Sequence, residues 1–103
     1  MIEVLKTEKE GLLECFDSGE KTGNVMFCVQ SERVTISALT IFDGGEMTAE
    51  LLLRAALNAG ALKGAEKAVC ANSQIKYYLM NLGFEYDGKE YFAMINDIFK
   101  KCE

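Results

Sequence analysis

Residues 52–85 constrain the fold of this chain more than any other stretch. They read LLRAALNAGALKGAEKAVCANSQIKYYLMNLGFE, an Ala-rich helix, a short apolar strand and a second helix stopped by Leu82-Gly83-Phe84. The first helix is expected from Glu46 or Met47 to about Lys63. Leu51, Leu52, Ala55, Ala56, Ala59 and Leu62 make its broad apolar face, with Glu50, Arg54 and Asn58 opposite. The small residues Ala55, Ala56, Ala59, Gly60 and Ala61 let this helix approach a sheet closely. Gly64 is placed to stop it, and Lys63 sits in the last turn, where a cation is favoured. Residues 66–70 then read as a buried strand. Asn72 or Ser73 caps the next helix, and Phe84 supplies the apolar contact that accompanies a glycine stop. A strand, a helix and a strand in succession imply two parallel strands joined by a right-handed crossover.

The flanking sequence is β-rich. Residues 2–5 and 12–16 are short candidate strands separated by the charged stretch 6–10. Residues 17–24, DSGEKTGN, read as a turn-rich loop. Residues 25–30 and 34–42 are rich in Val, Ile, Phe and Thr, and Ser31-Glu32-Arg33 joins them as a hairpin. In the second of these, Val34, Ile36, Ala38 and Thr40 alternate with Thr35, Ser37, Leu39 and Ile41. The alternation weakens towards the end, as expected for a strand entering a sheet covered on both faces. Asp87-Gly88 between residues 84–86 and 90–95 is a strong hairpin signal. The tail, 96–103, adds a helical turn or frays. The expected class is α/β (α+β), a mixed and mostly antiparallel sheet with one parallel β-α-β step and two main helices, in a single domain spanning residues 1–103.

Composition narrows the functions open to such a fold. No apolar run approaches the ~18–20 residues needed to span a bilayer, and the N-terminus lacks the apolar stretch of a signal peptide. A cytoplasmic protein without membrane contact is expected. The net charge is −5, with 11 Lys and Arg scattered along the chain, which argues against a nucleic-acid surface. A single anionic ligand remains compatible with it, since backbone amides at one helix end suffice. There is no histidine, and Cys15, Cys28, Cys70 and Cys102 form no C-x-x-C pair. No metal site is therefore expected, and Ser–His and Cys–His nucleophile pairs are excluded. Cys15 and Cys28 lie in apolar stretches and read as small core hydrophobes.

The ordered set Leu51-Leu52-Leu53-Arg54-Ala55, Gly64-Ala65-Glu66-Lys67-Ala68-Val69, Asn72 and Leu82-Gly83-Phe84 resembles the cofactor-binding half of the GNAT acyltransferase superfamily. The spacing of Asn72 to Gly83 is similar to that between the family's cofactor-contacting Asn and its Leu-Gly-Phe. The resemblance covers residues 25–95 in element order and 51–84 in residue detail. It implies a GNAT-like, acyl-CoA N-acyltransferase fold whose N-terminal part is truncated. Residues 6–11 cannot hold the two helices the family places there, at 1.5 Å per residue. The acceptor-site wall is then missing or supplied by a second subunit, so a homodimer is among the expected partners.

The same resemblance implies acetyl-CoA, or another acyl-CoA, as cofactor. Its pantetheine would lie along the strand around Leu39, and its pyrophosphate on the amides of Met47, Thr48 and Ala49. Asn72 completes the candidate cofactor set. The family's loop pattern maps onto Gly44, Met47 and Ala49, and only Ala49 fits; Gly44-Gly45 also serves simply as a strand-to-helix turn. The family's Tyr acid falls at Leu79, with Tyr77 and Tyr78 just before it. No catalytic residue is assigned, and Glu32, Glu46 and Glu85 are candidate bases by type alone. Cys70, with no His to lower its pKa, reads as inert. The implied activity is acetyl transfer to a small-molecule or peptide amine. The alternative is a non-catalytic GNAT-like binding or dimerisation module that has lost cofactor use.

Overall fold

The computed structural model describes residues 1–43 and 45–100. Gly44 of the candidate loop, Cys102 and the last three residues of the expected tail lie outside the described residues. Among the described residues seven strands form one sheet: β1 (Ile2–Lys6), β2 (Leu12–Asp17), β3 (Glu20–Gln30), β4 (Arg33–Ile41), β5 (Lys67–Cys70), β6 (Glu85–Tyr86) and β7 (Tyr91–Met94). Their spatial order is β1-β2-β3-β4-β5-β7-β6. Only β4 and β5 run parallel; every other pairing is antiparallel. Helix α1 (Glu46–Leu62) connects the parallel pair, as a crossover must. Helix α2 (Lys76–Leu82) follows a 3₁₀ turn at Ser73–Ile75, and α3 (Ile95–Lys100) is a third helix where the sequence suggested a turn. None of the described helices is long and apolar enough to cross a membrane.

Gly60 decides how α1 sits on the sheet. A Cβ there would fall 2.0 Å from Val34 Cγ2, so the helix approaches β4 closer than any side chain allows. With Gly60 facing the sheet, Leu53, Ala56 and Leu57 (three to seven residues earlier) must face it too. The buried set is Thr48, Ala49, Leu52, Leu53, Ala56, Leu57 and Gly60. The expected face is therefore rotated. Leu62, about 200° round the helix from Gly60, is 80% exposed. Burying Leu52, Leu53 and Leu57 contributes roughly 1.5–3 kcal/mol each.

Two strands differ from expectation. The 17–24 loop contracts to the turn Ser18-Gly19, with φ 54 and 88, and β3 begins at Glu20. Two positive φ values give the turn whose twist matches a tight hairpin. Thr22, inside the former loop, is buried and its hydroxyl donates to the Cys15 carbonyl at 3.2 Å. In β4 the fading alternation is a β-bulge at Ser37: Ile36 opposes Phe27 and Ala38 opposes Met26, so Ser37 has no partner of its own. The extra residue moves the inward positions from Val34 and Ile36 to Leu39. Ser37 Oγ donates to the Met26 carbonyl at 3.1 Å, satisfying the disrupted ladder. Cys15 is buried as expected, but Cys28 is exposed, because its neighbours on the strand point the other way.

The C-terminal elements follow the sequence closely. Gly83 has φ 116, and the Phe84 amide donates back to the Leu79 carbonyl at 3.0 Å. Phe84 and Leu79 are both buried, which closes the stop. Beyond it the Asp87 carboxylate accepts from the amides of Lys89 (2.9 Å) and Glu90 (2.8 Å), fixing the turn before β7. Those two amides hold the Asp87 pKa below its ordinary value.

Candidate functional site

The parallel pair separates early. β4 and β5 share only three residue pairs, Arg33 with Lys67, Val34 with Ala68 and Thr35 with Val69. Residues 36–41 of β4 continue as strand but pair with β3 alone. Cys70, the next residue of β5, pairs with Tyr91 of β7. The carboxyl end of the parallel pair is thus an opening with a free strand edge, the position where α/β sheets receive ligands. Leu39 lies on this stretch, with its side chain in the core and its backbone on the opened strand.

The chain passes from β4 directly to the N-terminus of α1. Here the decisive side chain is Asp43, which the sequence reading did not single out. Its carboxylate accepts from the Gly45 amide at 2.9 Å and from the Thr48 hydroxyl at 2.9 Å. Thr48 is almost fully buried, so its hydroxyl serves this cap. The Ala49 amide donates to the Gly45 carbonyl at 3.3 Å in the first helical turn, and the Ala49 side chain is buried. The amides of Glu46, Met47 and Thr48 come too early in the helix to find an acceptor within it. Met47 is 65% exposed beside them.

Helix α2 is tied to this end by a side-chain hydrogen bond. The Tyr77 hydroxyl donates to Glu46 Oε1, joining the first turns of the two helices, and Tyr77 stacks edge-on against Tyr78. Of the three candidate bases only Glu46 stands here. Glu32 lies at the hairpin before β4 with φ 66, and Glu85 lies on β6. Leu79 is fully buried. Asn72 acts as a structural cap, its Oδ1 accepting from the Gln74 amide at 3.0 Å. Cys70 is buried, and burial pushes its thiol pKa up, against a nucleophilic role. Met47, Thr48 and Ala49 thus share the first turn of α1 and Leu39 lies on the strand that leads into it, while the Asn72 Oδ1 and the Ala49 amide serve local structure. Asp43 was legible as the Asp-x-Gly before a helix, a capping signal.

No protein-family model and no curated protein sequence matches the chain. Solved structures do. A GNAT-family acetyltransferase from Desulfovibrio desulfuricans superposes with a TM-score of 0.71 at 7% identity, over 82% of this chain and 68% of its own. The fold is the GNAT fold. A GNAT acetyltransferase from Brucella melitensis, solved with acetyl-CoA, gives 0.64 at 18% identity, over 81% of this chain and 56% of its own. One from Escherichia coli, solved with CoA, gives 0.63 at 20% identity, over 84% and 60%. The present chain thus spans less than two thirds of those two relatives.

Within the GNAT fold, the opening between β4 and β5 and the α1 N-terminus can be tested against an acyl-CoA. The free edge of residues 36–41 suits an extended, amide-bearing arm, which pairs as an added strand would. The early amides of α1 suit a diphosphate. The side chains are less favourable: Asp43 already holds the Gly45 amide, and the Glu46 carboxylate stands in the first turn. The backbone fits the group; two carboxylates weaken the fit.

Proposed function

We propose that residues 1–103 form one GNAT-like domain that binds an acyl-CoA and transfers its acetyl group to an amine, small-molecule or peptide, in the cytoplasm. The observation that supports this best is the parting of β4 and β5 after Thr35 and Val69, directly beside the N-terminus of α1. A bound acyl-CoA supplies the activated thioester. The chain's own part is positional. The edge of residues 36–41 holds the extended arm, and the amides of Met47 and Thr48 hold the diphosphate. Proximity of amine and thioester then accounts for most of the rate, so few catalytic side chains are needed. Glu46 is the candidate carboxylate at the site, with Tyr77 as its hydrogen-bond partner.

A second reading has its own observation. Leu79 is core and Asp43 occupies donors at the α1 N-terminus, as expected of a GNAT-like module that has given up cofactor use. Thermal unfolding with CoA and acetyl-CoA separates the two. Binding at 100 times Kd raises stability by about 2.7 kcal/mol. An unchanged Tm at millimolar cofactor eliminates the enzyme reading. Met47→Glu, exposed and beside the amides, should abolish any shift.

A further inference from the structure

The opening between β4 and β5 is flanked by two helices. β4 runs into the first turn of α1, and β5 runs through the 3₁₀ turn at Ser73–Ile75 into the first turn of α2. Both helices pack on one face of the sheet, since Leu52, Leu53, Leu79 and Leu82 belong to a single core. A ligand that enters between the strands from this end therefore passes between those two first turns. A side-chain hydrogen bond spans the gap, from the Tyr77 hydroxyl to Glu46 Oε1. A Glu46 carboxylate that reaches α2 leans over the opening instead of lying along the outer surface of α1.

The bridge is lightly held. The Tyr77 ring is 57% exposed and rests edge-on against Tyr78, with ring centroids 5.6 Å apart. Glu46 is exposed as well. Among the described residues neither side chain has another hydrogen-bond or ion-pair partner. Both can swing away without uncovering the core. Asp43 differs, because its carboxylate is tied to the Gly45 amide and the Thr48 hydroxyl of its own helix end. Of the two carboxylates beside the early amides of α1, one is fixed locally and the other is held across the opening.

We propose that the Tyr77–Glu46 bond is a latch, an autoinhibitory contact that keeps the free protein closed to acyl-CoA. The inference rests on the acyl-CoA reading above and adds the step that admits the ligand. In the closed form the Glu46 carboxylate stands beside the seat that the Met47 and Thr48 amides offer to a diphosphate, where like charges repel. The bond must part and the carboxylate turn outwards before the diphosphate settles. A ligand that binds only the open form has its apparent Kd raised by the reciprocal of the open fraction. Removing the latch therefore tightens binding without adding any contact to the ligand.

Titration calorimetry of the full chain with CoA tests it, with circular dichroism as a check on folding. Tyr77→Phe keeps the exposed ring and removes the donor. It should lower the Kd for CoA about three- to tenfold, the gain expected when one exposed hydrogen bond no longer has to be broken. The same substitution should give no gain in a Glu46→Ala chain, where the bond is already gone. An unchanged or higher Kd in Tyr77→Phe overturns the latch and leaves the acyl-CoA reading standing. So does an equal gain in the Glu46→Ala background, since the hydroxyl would then act on something other than Glu46. CoA binding by none of these proteins rejects the acyl-CoA reading and the latch with it.

Discussion

The two ends of α1 are held by different physics. At the C-terminal end Gly60 rests against Val34 with no room for a methyl group, and the contact is steric. At the N-terminal end the approach to the sheet is looser: a Cβ on Gly23 of β3 would fall 3.1 Å from Thr48 Cγ2. Met47 is exposed, and the turn is held by Asp43 through Gly45 and Thr48. Packing at one end sets where the helix lies, while replaceable polar groups at the other set what it can bind.

The largest effect that can break this contrast is at Gly60. Gly60→Ala should cost about 1–3 kcal/mol by overpacking, a Tm loss of roughly 4–8 °C per kcal/mol. Val34→Ala in the same chain should recover part of it, since the two residues share one contact. Additive losses in urea denaturation would show that the approach of α1 to β4 is looser than described.

Asp43→Asn sharpens the other side. Removing a charge near the diphosphate should tighten CoA binding by roughly 1 kcal/mol, about fivefold, by titration calorimetry. Stability should fall by less than about 1 kcal/mol, since Asn still accepts hydrogen bonds. Weaker CoA binding in this variant would mean that Asp43 organises the site rather than opposing it.

A third test compares the sheet faces. In a Cys102→Ser chain under native conditions, Cys28 should react with a thiol reagent well before Cys15 and Cys70, which are buried. Burial raises the Cys70 pKa, so its contribution to stability is intact below the unfolded-state pKa and is lost as pH rises through that region. Mapping the modified residue by mass spectrometry reads the order, and early labelling of Cys70 would contradict its burial.

The smallest effect is at Asp87, whose pKa is held down by the Glu90 and Lys89 amides. A lowered folded-state pKa stabilises above the unfolded value, near 3.9, and that stability is lost as pH falls through the folded one. Asp87→Asn should therefore flatten the acid limb of the stability profile, and an unchanged limb would assign it to other carboxylates.

Much of the fold was legible because its signals are local. Gly83-Phe84 stops a helix through one backbone conformation and one apolar contact, and both appear in the structure. The β-α-β step and the Asp87-Gly88 turn are likewise short-range patterns. The misread parts depend on distant residues. Ser37 is a bulge only because β3 opposes one residue where β4 offers two, and the DSGEKTGN stretch becomes strand only when β2 pairs with it. Of the candidate cofactor residues, Thr48 and Ala49 lie in the first turn of α1. The Thr48 hydroxyl and the Ala49 amide prove engaged, by Asp43 and Gly45 respectively.

By itself the sequence determined the order of elements and the parallel step, because hydrophobic period and glycine stops act over a few residues. Tertiary structure alone decided which face of α1 is buried and where β4 leaves β5, because both follow from contacts across the sheet. The turn after β4 was marked locally, but that the Asp43 carboxylate closes on both the Gly45 amide and the Thr48 hydroxyl was decided by the folded chain.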